Sequence, residues 1–238
     1  MASGGGPGSR VLRSALLDKS GGLLSLLDPY CASTHFVGDA LRIEDGLLFI
    51  HSSSDGGSCS SSPELQGPAR HLVLHRFNIS GADTESEYTG SDDMVYARLL
   101  PGQTNPWLVF RESGASALVQ PPGMALPIGL HGGSGSAFPI TEAGAGQMAV
   151  AALGFGLVVA TVDSLDPSAP TIILRVYSSA GLSTAETSFS TNGAWHNGDR
   201  LTLIASPDSS SFLVGWTGSQ STSGTALFVR RFDCVKHE

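Results

Sequence analysis

Residues 201–233 read LTLIASPDSSSFLVGWTGSQSTSGTALFVRRFD, and this stretch shows the pattern that decides the fold. Two apolar runs flank a turn rich in Ser and Asp, and a third run, Ala226–Phe232, follows a loop of Ser, Thr and Gly. The same arrangement recurs along the chain with a period of about 50 to 60 residues, which is typical of stacked all-β units. The central apolar runs of the four repeats are Leu47–Ile50, Trp107–Phe110, Leu157–Ala160 and Phe212–Trp216.

Composition favours the same fold class. The 238 residues include 30 Gly and 13 Pro, which supply turns at short intervals and leave little room for long helices. We therefore expect residues 36–238 to form a single all-β repeat domain. Residues 1–35 are predicted to be a flexible leader and a short opening segment, whose loosely spaced leucines suit a short helix or an edge strand.

Each repeat is predicted to contain about four strands. Asp45-Gly46 between two apolar runs indicates a hairpin. An aromatic residue, Phe77, Tyr177 or Phe232, closes the third strand of three repeats and is expected to pack between neighbouring sheets. After the first two of these aromatics, a polar turn leads into a further outer strand, such as 85–88 or 185–189.

The last repeat carries a family resemblance. Ser211–Gly218 followed by Gly224–Asp233 is similar to a blade of the bacterial FG-GAP-like β-propellers, in which an aliphatic strand ending near Trp precedes a strand ending in Arg-aromatic-Asp. The resemblance implies a β-propeller-like array of about four four-stranded blades, and an extracellular or cell-surface location, although no signal peptide is visible. The calcium loop of integrin-type blades is missing. The alternative fold, a β-sandwich of jelly-roll type, predicts no repeat.

The turn Ser206–Phe212 partly resembles the Asp box of sialidase-like propellers. In that box an Asp within a hairpin turn accepts hydrogen bonds from backbone donors, and an aromatic strand residue follows. The resemblance assigns Asp208 a structural role and implies a propeller, not a sialidase.

Charge and hydropathy exclude several classes of protein. Only 14% of residues are charged, with 13 Lys and Arg against 21 Asp and Glu, so no basic surface is predicted for nucleic acid. The longest apolar stretch, 148–162, is broken by Gly154 and Gly156 and is shorter than the roughly 20 residues of a membrane helix. We predict no membrane span.

Catalytic and metal-binding patterns are weak in this sequence. The Ser-rich loops lack a Gly-x-Ser-x-Gly elbow that would activate a nucleophile. His71 and His75 lie four apart on a predicted strand, which separates their Cα atoms by about 13 Å, too far to share a metal ion. We predict no metal site, no cofactor and no catalytic residue.

The three cysteines allow two interpretations. Cys31, Cys59 and Cys234 are too few for a disulfide scaffold and lack the spacing of a zinc ribbon, which favours free thiols. If the repeats close into a ring, however, Cys31 before the first repeat and Cys234 in the last strand become neighbours. A Cys31–Cys234 disulfide is therefore a candidate.

The leading hypothesis for function is a non-enzymatic binding or assembly module that recognises a protein or a glycan through its loop face. Long loops in a compact domain are usually functional or disordered, and three are predicted, at 51–70, 112–146 and 217–225.

Two alternatives stay open. A carbohydrate-active or hydrolytic propeller enzyme would use Glu112 or Asp163 beside Trp107 or Trp216, and exposed tryptophans next to a carboxylate would favour it. A structural subunit would instead add strands to neighbouring copies through unpaired edges at 11–35 and 226–238, and would form a homo-oligomer.

Overall fold

Every regular element that the structure describes is a β-strand. The structure is a computed structural model. It contains no described helix with the length and apolar character needed to cross a membrane. The described residues are 10–12, 15–17, 23–26, 30–32, 38–53, 71–78, 83–89, 94–103, 105–113, 120–129, 136–163, 170–191, 200–219 and 225–234.

The opening segment forms strands rather than a helix. Strand β1 pairs with β4, and β2 pairs with β3, both in antiparallel fashion. These strands are β1 (Arg10–Leu12), β2 (Ala15–Leu17), β3 (Leu23–Leu26) and β4 (Tyr30–Ala32).

Four antiparallel sheets follow, and each one uses strands that are consecutive in the sequence. The first two sheets have four strands each. The first consists of β5 (Gly38–Ile43), β6 (Gly46–Ser53), β7 (His71–Asn78) and β8 (Asp83–Thr89), and the second of β9 (Met94–Leu100), β10 (Trp107–Glu112), β11 (Met124–Pro127) and β12 (Phe138–Pro139).

The third sheet has four strands and the fourth sheet has three described strands. The third consists of β13 (Met148–Leu153), β14 (Gly156–Asp163), β15 (Thr171–Ser178) and β16 (Ser183–Ser190), and the fourth of β17 (Leu201–Ala205), β18 (Ser211–Ser219) and β19 (Thr225–Asp233). The prediction of an all-β chain built from about four repeated sheets is confirmed at this level.

Two details differ from or refine the sequence expectation. The second sheet departs from four full strands, since β11 and β12 have only four and two residues. The hairpin predicted at Asp45-Gly46 is confirmed, since Ile43 pairs with Gly46 at the start of β6.

The chain divides into two compact units. One is built from residues up to 99 together with 110–116, and the other from 100–109 together with 117 onward. In the second unit, a hydrophobic cluster packs the third sheet against the fourth, and burial of this apolar surface is the main force that holds the sheets together. Strand β14 is buried from Gly156 to Val162, which means that both faces of the third sheet are covered at its centre.

Glycine is required at the start of the second strand in two sheets. A Cβ atom at Gly156 would lie 1.8 Å from the Tyr177 carbonyl oxygen, and one at Gly46 would lie 1.8 Å from the Phe77 carbonyl oxygen. Both positions follow a tight hairpin, where the backbone of the third strand approaches closely. No side chain fits there, which explains why Gly ends both turns.

Candidate binding cleft

A cleft of about 910 Å³ opens in the second unit, where turns from three sheets meet. It is lined by residues 101–103 after β9, by 152–155 at the β13–β14 hairpin, by 205–210 at the β17–β18 turn and by Cys234. This volume is within the range of about 300 to 1,000 Å³ that is usual for small-ligand sites. The cleft is therefore the candidate functional site within the described residues.

Apolar residues form one wall of the cleft. Leu153 is buried, whereas the neighbouring Phe155 is 46% exposed although it is a large aromatic residue. The hairpin explains this contrast, because Leu153 ends β13 on a packed face and Phe155 occupies the turn itself. An exposed aromatic ring beside a concave surface is a ready contact for a ligand.

A second wall of the cleft is a turn organised by Asp208. Its Oδ1 atom accepts hydrogen bonds from the Ser206 hydroxyl at 2.6 Å, from the Ser210 backbone N–H at 3.1 Å and from the Ser210 hydroxyl at 2.8 Å. These bonds, that from Ser206 above all, lower the pKa of Asp208 from 3.8 to about 2. The structural role predicted for this Asp, accepting backbone donors in a hairpin turn, is thus present.

Hydrogen bonds fix this turn to its neighbours. Ser209, which has a positive φ of 57°, accepts a hydrogen bond at its Oγ atom from the Gly154 backbone N–H at 2.7 Å. The Cys234 backbone N–H donates to the Ser210 carbonyl at 2.7 Å. The two walls of the cleft and the end of β19 are therefore connected directly, and the cleft is formed before any ligand arrives.

Cys234 contributes a half-buried free thiol to the cleft. Burial raises its pKa, and the neighbouring Asp233 carboxylate raises it further. The thiol is therefore protonated at neutral pH and is a poor nucleophile. The side chain of Cys31 lies outside the described residues, so the candidate Cys31–Cys234 disulfide stays a prediction.

The two tryptophans proposed for binding lie in the packed interior. Trp107 is buried and meets Phe138 edge to face, with ring centroids 5.9 Å apart. Trp216 is buried as well, stacks on Phe228 and donates from Nε1 to the Thr191 carbonyl at 3.3 Å. Their large rings stabilise sheet packing and do not line the cleft, a placement that counts against the enzyme hypothesis.

The two proposed carboxylates also lie elsewhere. Glu112 ends β10 and Asp163 ends β14, both half-buried, and neither is among the described residues that line the cleft. Much of the loops proposed for recognition also falls outside the described residues, namely 54–70, 114–119, 130–135 and 220–224.

Sequence spacing missed a buried histidine pair in the first unit. His75, which was compared with His71, lies instead against His51 of the neighbouring strand, with their Nε2 atoms 3.2 Å apart and their rings stacked. The pKa of His51 is lowered to about 4, mainly by burial; the hydrogen bond to the Ser52 carbonyl acts in the opposite direction, and the charge of His75 adds a smaller lowering effect. His51 is therefore neutral near pH 7.

The part of the chain that the structure describes places no metal centre at the histidine pair. Within the described residues, no group of three or more His, Cys, Asp or Glu side chains is placed to hold a metal ion. Both histidines are fully buried, and the aromatic rings of Phe49 and Phe77 flank them. We interpret the pair as a hydrogen-bonded part of the core.

Neither the protein-family models nor the curated proteins match this chain. The interpretation of the cleft consequently depends on its own chemistry.

Proposed function

We propose that this protein is a non-enzymatic binding module that holds a short neutral glycan in the cleft of its second unit. The observation that carries the proposal is the exposed ring of Phe155 at the edge of a preformed cleft of about 910 Å³. A cleft of this size has room for about two or three sugar rings.

The chemistry of the two walls supports a sugar ligand. A pyranose ring presents apolar C–H groups on its faces, which pack on an aromatic ring, and hydroxyl groups at its edges, which need polar partners. Phe155 offers the aromatic face, and Gln103, Ser206 and Ser209 bring polar side chains to the same cleft. Because these side chains are uncharged, they suit a neutral glycan.

The carboxylic acid content of the cleft argues against hydrolysis. Glycosidases of the common kind use two carboxyl groups, one of which must be protonated to act as the acid. Asp208 is the single carboxylic acid among the described residues that line the cleft, and its lowered pKa keeps it ionised. Binding without turnover is therefore the activity that this site supports.

The four sheets are, in our proposal, blades of a propeller-like array rather than the two sheets of a jelly roll. Support comes from the consecutive strand order in each sheet and from the face-to-face packing of the third sheet on the fourth. In such arrays, ligands commonly bind to the turns that connect the strands. The cleft, which is built from three such turns, fits this arrangement.

A glycan array followed by calorimetry tests the function. The full chain is applied to an array of neutral and acidic oligosaccharides, and the best neutral ligand is titrated into the wild type and the Phe155→Ala variant. We expect the variant to bind at least tenfold more weakly, because it lacks the stacking surface.

Leu182→Ala is the matched control for that experiment. Leu182 is another exposed apolar residue in a turn of the same unit, 68% exposed, and it does not line the cleft. Its substitution should change affinity less than twofold. Absence of any glycan binding, or equal binding by the Phe155→Ala variant, would contradict the proposal.

A further inference from the structure

The fourth sheet exposes a long edge strand. Strand β19 has nine residues and forms the edge of a sheet with three described strands, whereas the other three sheets have four strands each. Leu227 is 70% exposed and Val229 is 59% exposed on this strand. Among the strands that the structure describes, none pairs with the outer side of β19. Proteins usually protect a long edge strand, because its backbone groups can pair with any extended segment.

The internal repeat shows what lies beside the equivalent strands. In three sheets, the second residue of the second strand pairs with an aromatic residue of the third strand. These pairs are Leu47–Phe77, Leu157–Tyr177 and Phe212–Phe232, and their common register aligns β7, β15 and β19. The alignment matches Arg230 with Arg175 and His75, and it matches Leu227 with Ile172 and Leu72.

A glutamate and an aromatic residue occupy the fourth strand at these positions. In the third sheet, Glu186 lies opposite Arg175, with a 2.7 Å ion pair, and Phe189 lies opposite Ile172. In the first sheet the register places Glu85 opposite His75 and Tyr88 opposite Leu72. Both fourth strands therefore carry the pattern Glu-x-x-aromatic.

Arg230 aligns with Arg175, but the described residues place no glutamate opposite it as Glu186 lies opposite Arg175. Its guanidinium lies over the rings of Phe189 and Phe232, at 4.9 and 5.2 Å from their centroids, and it forms no ion pair within the described residues. The neighbouring Arg231 differs, since it pairs with Asp233 at 2.9 Å. An exposed cation of this kind favours an acidic partner.

We propose that β19 binds an extended acidic segment of a partner protein, which adds to the fourth sheet as a strand. The segment carries a glutamate opposite Arg230 and, three residues later, an aromatic side chain opposite Leu227. Backbone hydrogen bonds supply the affinity of such strand addition, and the side chains on alternate positions supply the specificity.

Charge excludes a second copy of β19 as the preferred occupant. Self-pairing would bring Arg230 and Arg231 of both copies, four arginines in all, to one shared edge with only the two Asp233 residues to balance them. Like charges close together on neighbouring strands destabilise a sheet. A glutamate-bearing strand removes this repulsion.

A peptide copied from the chain's own fourth strand tests the proposal. The probe is fluorescein-labelled STAETSFS, the sequence of residues 183–190, and its anisotropy is measured against the full chain. We expect saturable binding that weakens with salt, and at least tenfold weaker binding to the Arg230→Glu variant. A peptide with lysine in place of its glutamate should restore binding to that variant.

Arg231→Gln is the control variant, because Arg231 already forms an ion pair with Asp233. We expect this variant to bind the peptide with an affinity within twofold of the wild type. Unchanged circular dichroism confirms that both variants are folded. The proposal is wrong if the peptide fails to bind, if it binds the Arg230→Glu variant equally well, or if light scattering shows dimers that dissociate in that variant. The glycan proposal is tested separately, since Phe155→Ala should leave peptide binding intact.

Discussion

Asp208 shows how one side chain can define a binding wall. Its Oδ1 atom accepts three hydrogen bonds within the turn. The same turn contains Ser209, whose Oγ atom accepts a hydrogen bond from the Gly154 backbone N–H. The structural role of this residue was implied by the resemblance of Ser206–Phe212 to an Asp box. The exposure of Phe155 was not predictable, since apolar pattern alone assigns an aromatic to the core.

The Asp208 turn should stabilise the protein in a pH-dependent way. The pKa of Asp208 is lower in the folded chain, about 2 against 3.8, so its stabilising effect is present above about pH 4 and is lost as the pH falls towards 2. We expect the difference in Tm between wild type and Asp208→Ala, measured by circular dichroism, to shrink over that range. A difference that is constant from about pH 6 to about pH 2 would contradict this role.

Protonation of the buried His51 should destabilise the fold in mild acid. His51 has a pKa of about 4 when folded and 6.5 as an ordinary histidine, so the unfolded chain binds the extra proton between these values and stability falls as the pH falls through them. At about 1.4 kcal/mol per pKa unit, the loss is roughly 3 kcal/mol.

Urea unfolding of wild type and His51→Gln, at pH values between about 7 and 4, measures this effect. Glutamine keeps a hydrogen-bonding group beside His75 but does not titrate in this range. We expect a shallower dependence of the unfolding free energy on pH in the variant. Parallel curves for the two proteins would show that His51 is not the titrating group.

At the scale of elements, strands and hairpins follow from local sequence more directly than the site does. Alternation and turn residues predicted the strands of the first, third and fourth sheets, and Asp45-Gly46 predicted a hairpin that the structure contains. The second sheet was harder, because its last two strands, Met124–Pro127 and Phe138–Pro139, are short and contain proline, which weakens a strand pattern.

The start of β14 should tolerate no side chain. Gly156→Ala places a methyl group against the Tyr177 carbonyl, and we expect a loss of roughly 2 kcal/mol or more in the free energy of unfolding. Gly154→Ala, two residues earlier, is the control, since its nearest neighbour, Ser209 Oγ, lies at an ordinary contact distance of 3.4 Å; we expect a change of about 0.5 kcal/mol. Urea unfolding measures both. Equal losses would show that the close approach is not what selects glycine.

At the scale of the whole molecule, the repeat was visible in the sequence and the cleft was not. The cleft is lined by residues 101–103, 152–155 and 205–210, which belong to three different repeats. The period of the sequence repeat does not predict which turns come together in the folded chain. Trp107 and Trp216 were proposed to lie beside a carboxylate in a binding site, yet both rings contribute to sheet packing. Burial depends on neighbours that only the folded chain brings together.

Chemical-shift mapping tests the central claim most directly. The ¹⁵N-labelled full chain is titrated with neutral disaccharides and trisaccharides of several linkages, and backbone amide shifts are followed. The cleft account predicts that the largest changes occur at Gly154, Phe155, Ser209 and Ser210, and that they disappear in the Phe155→Ala variant. Changes confined to other parts of the chain, or no changes with any of the sugars, would contradict it.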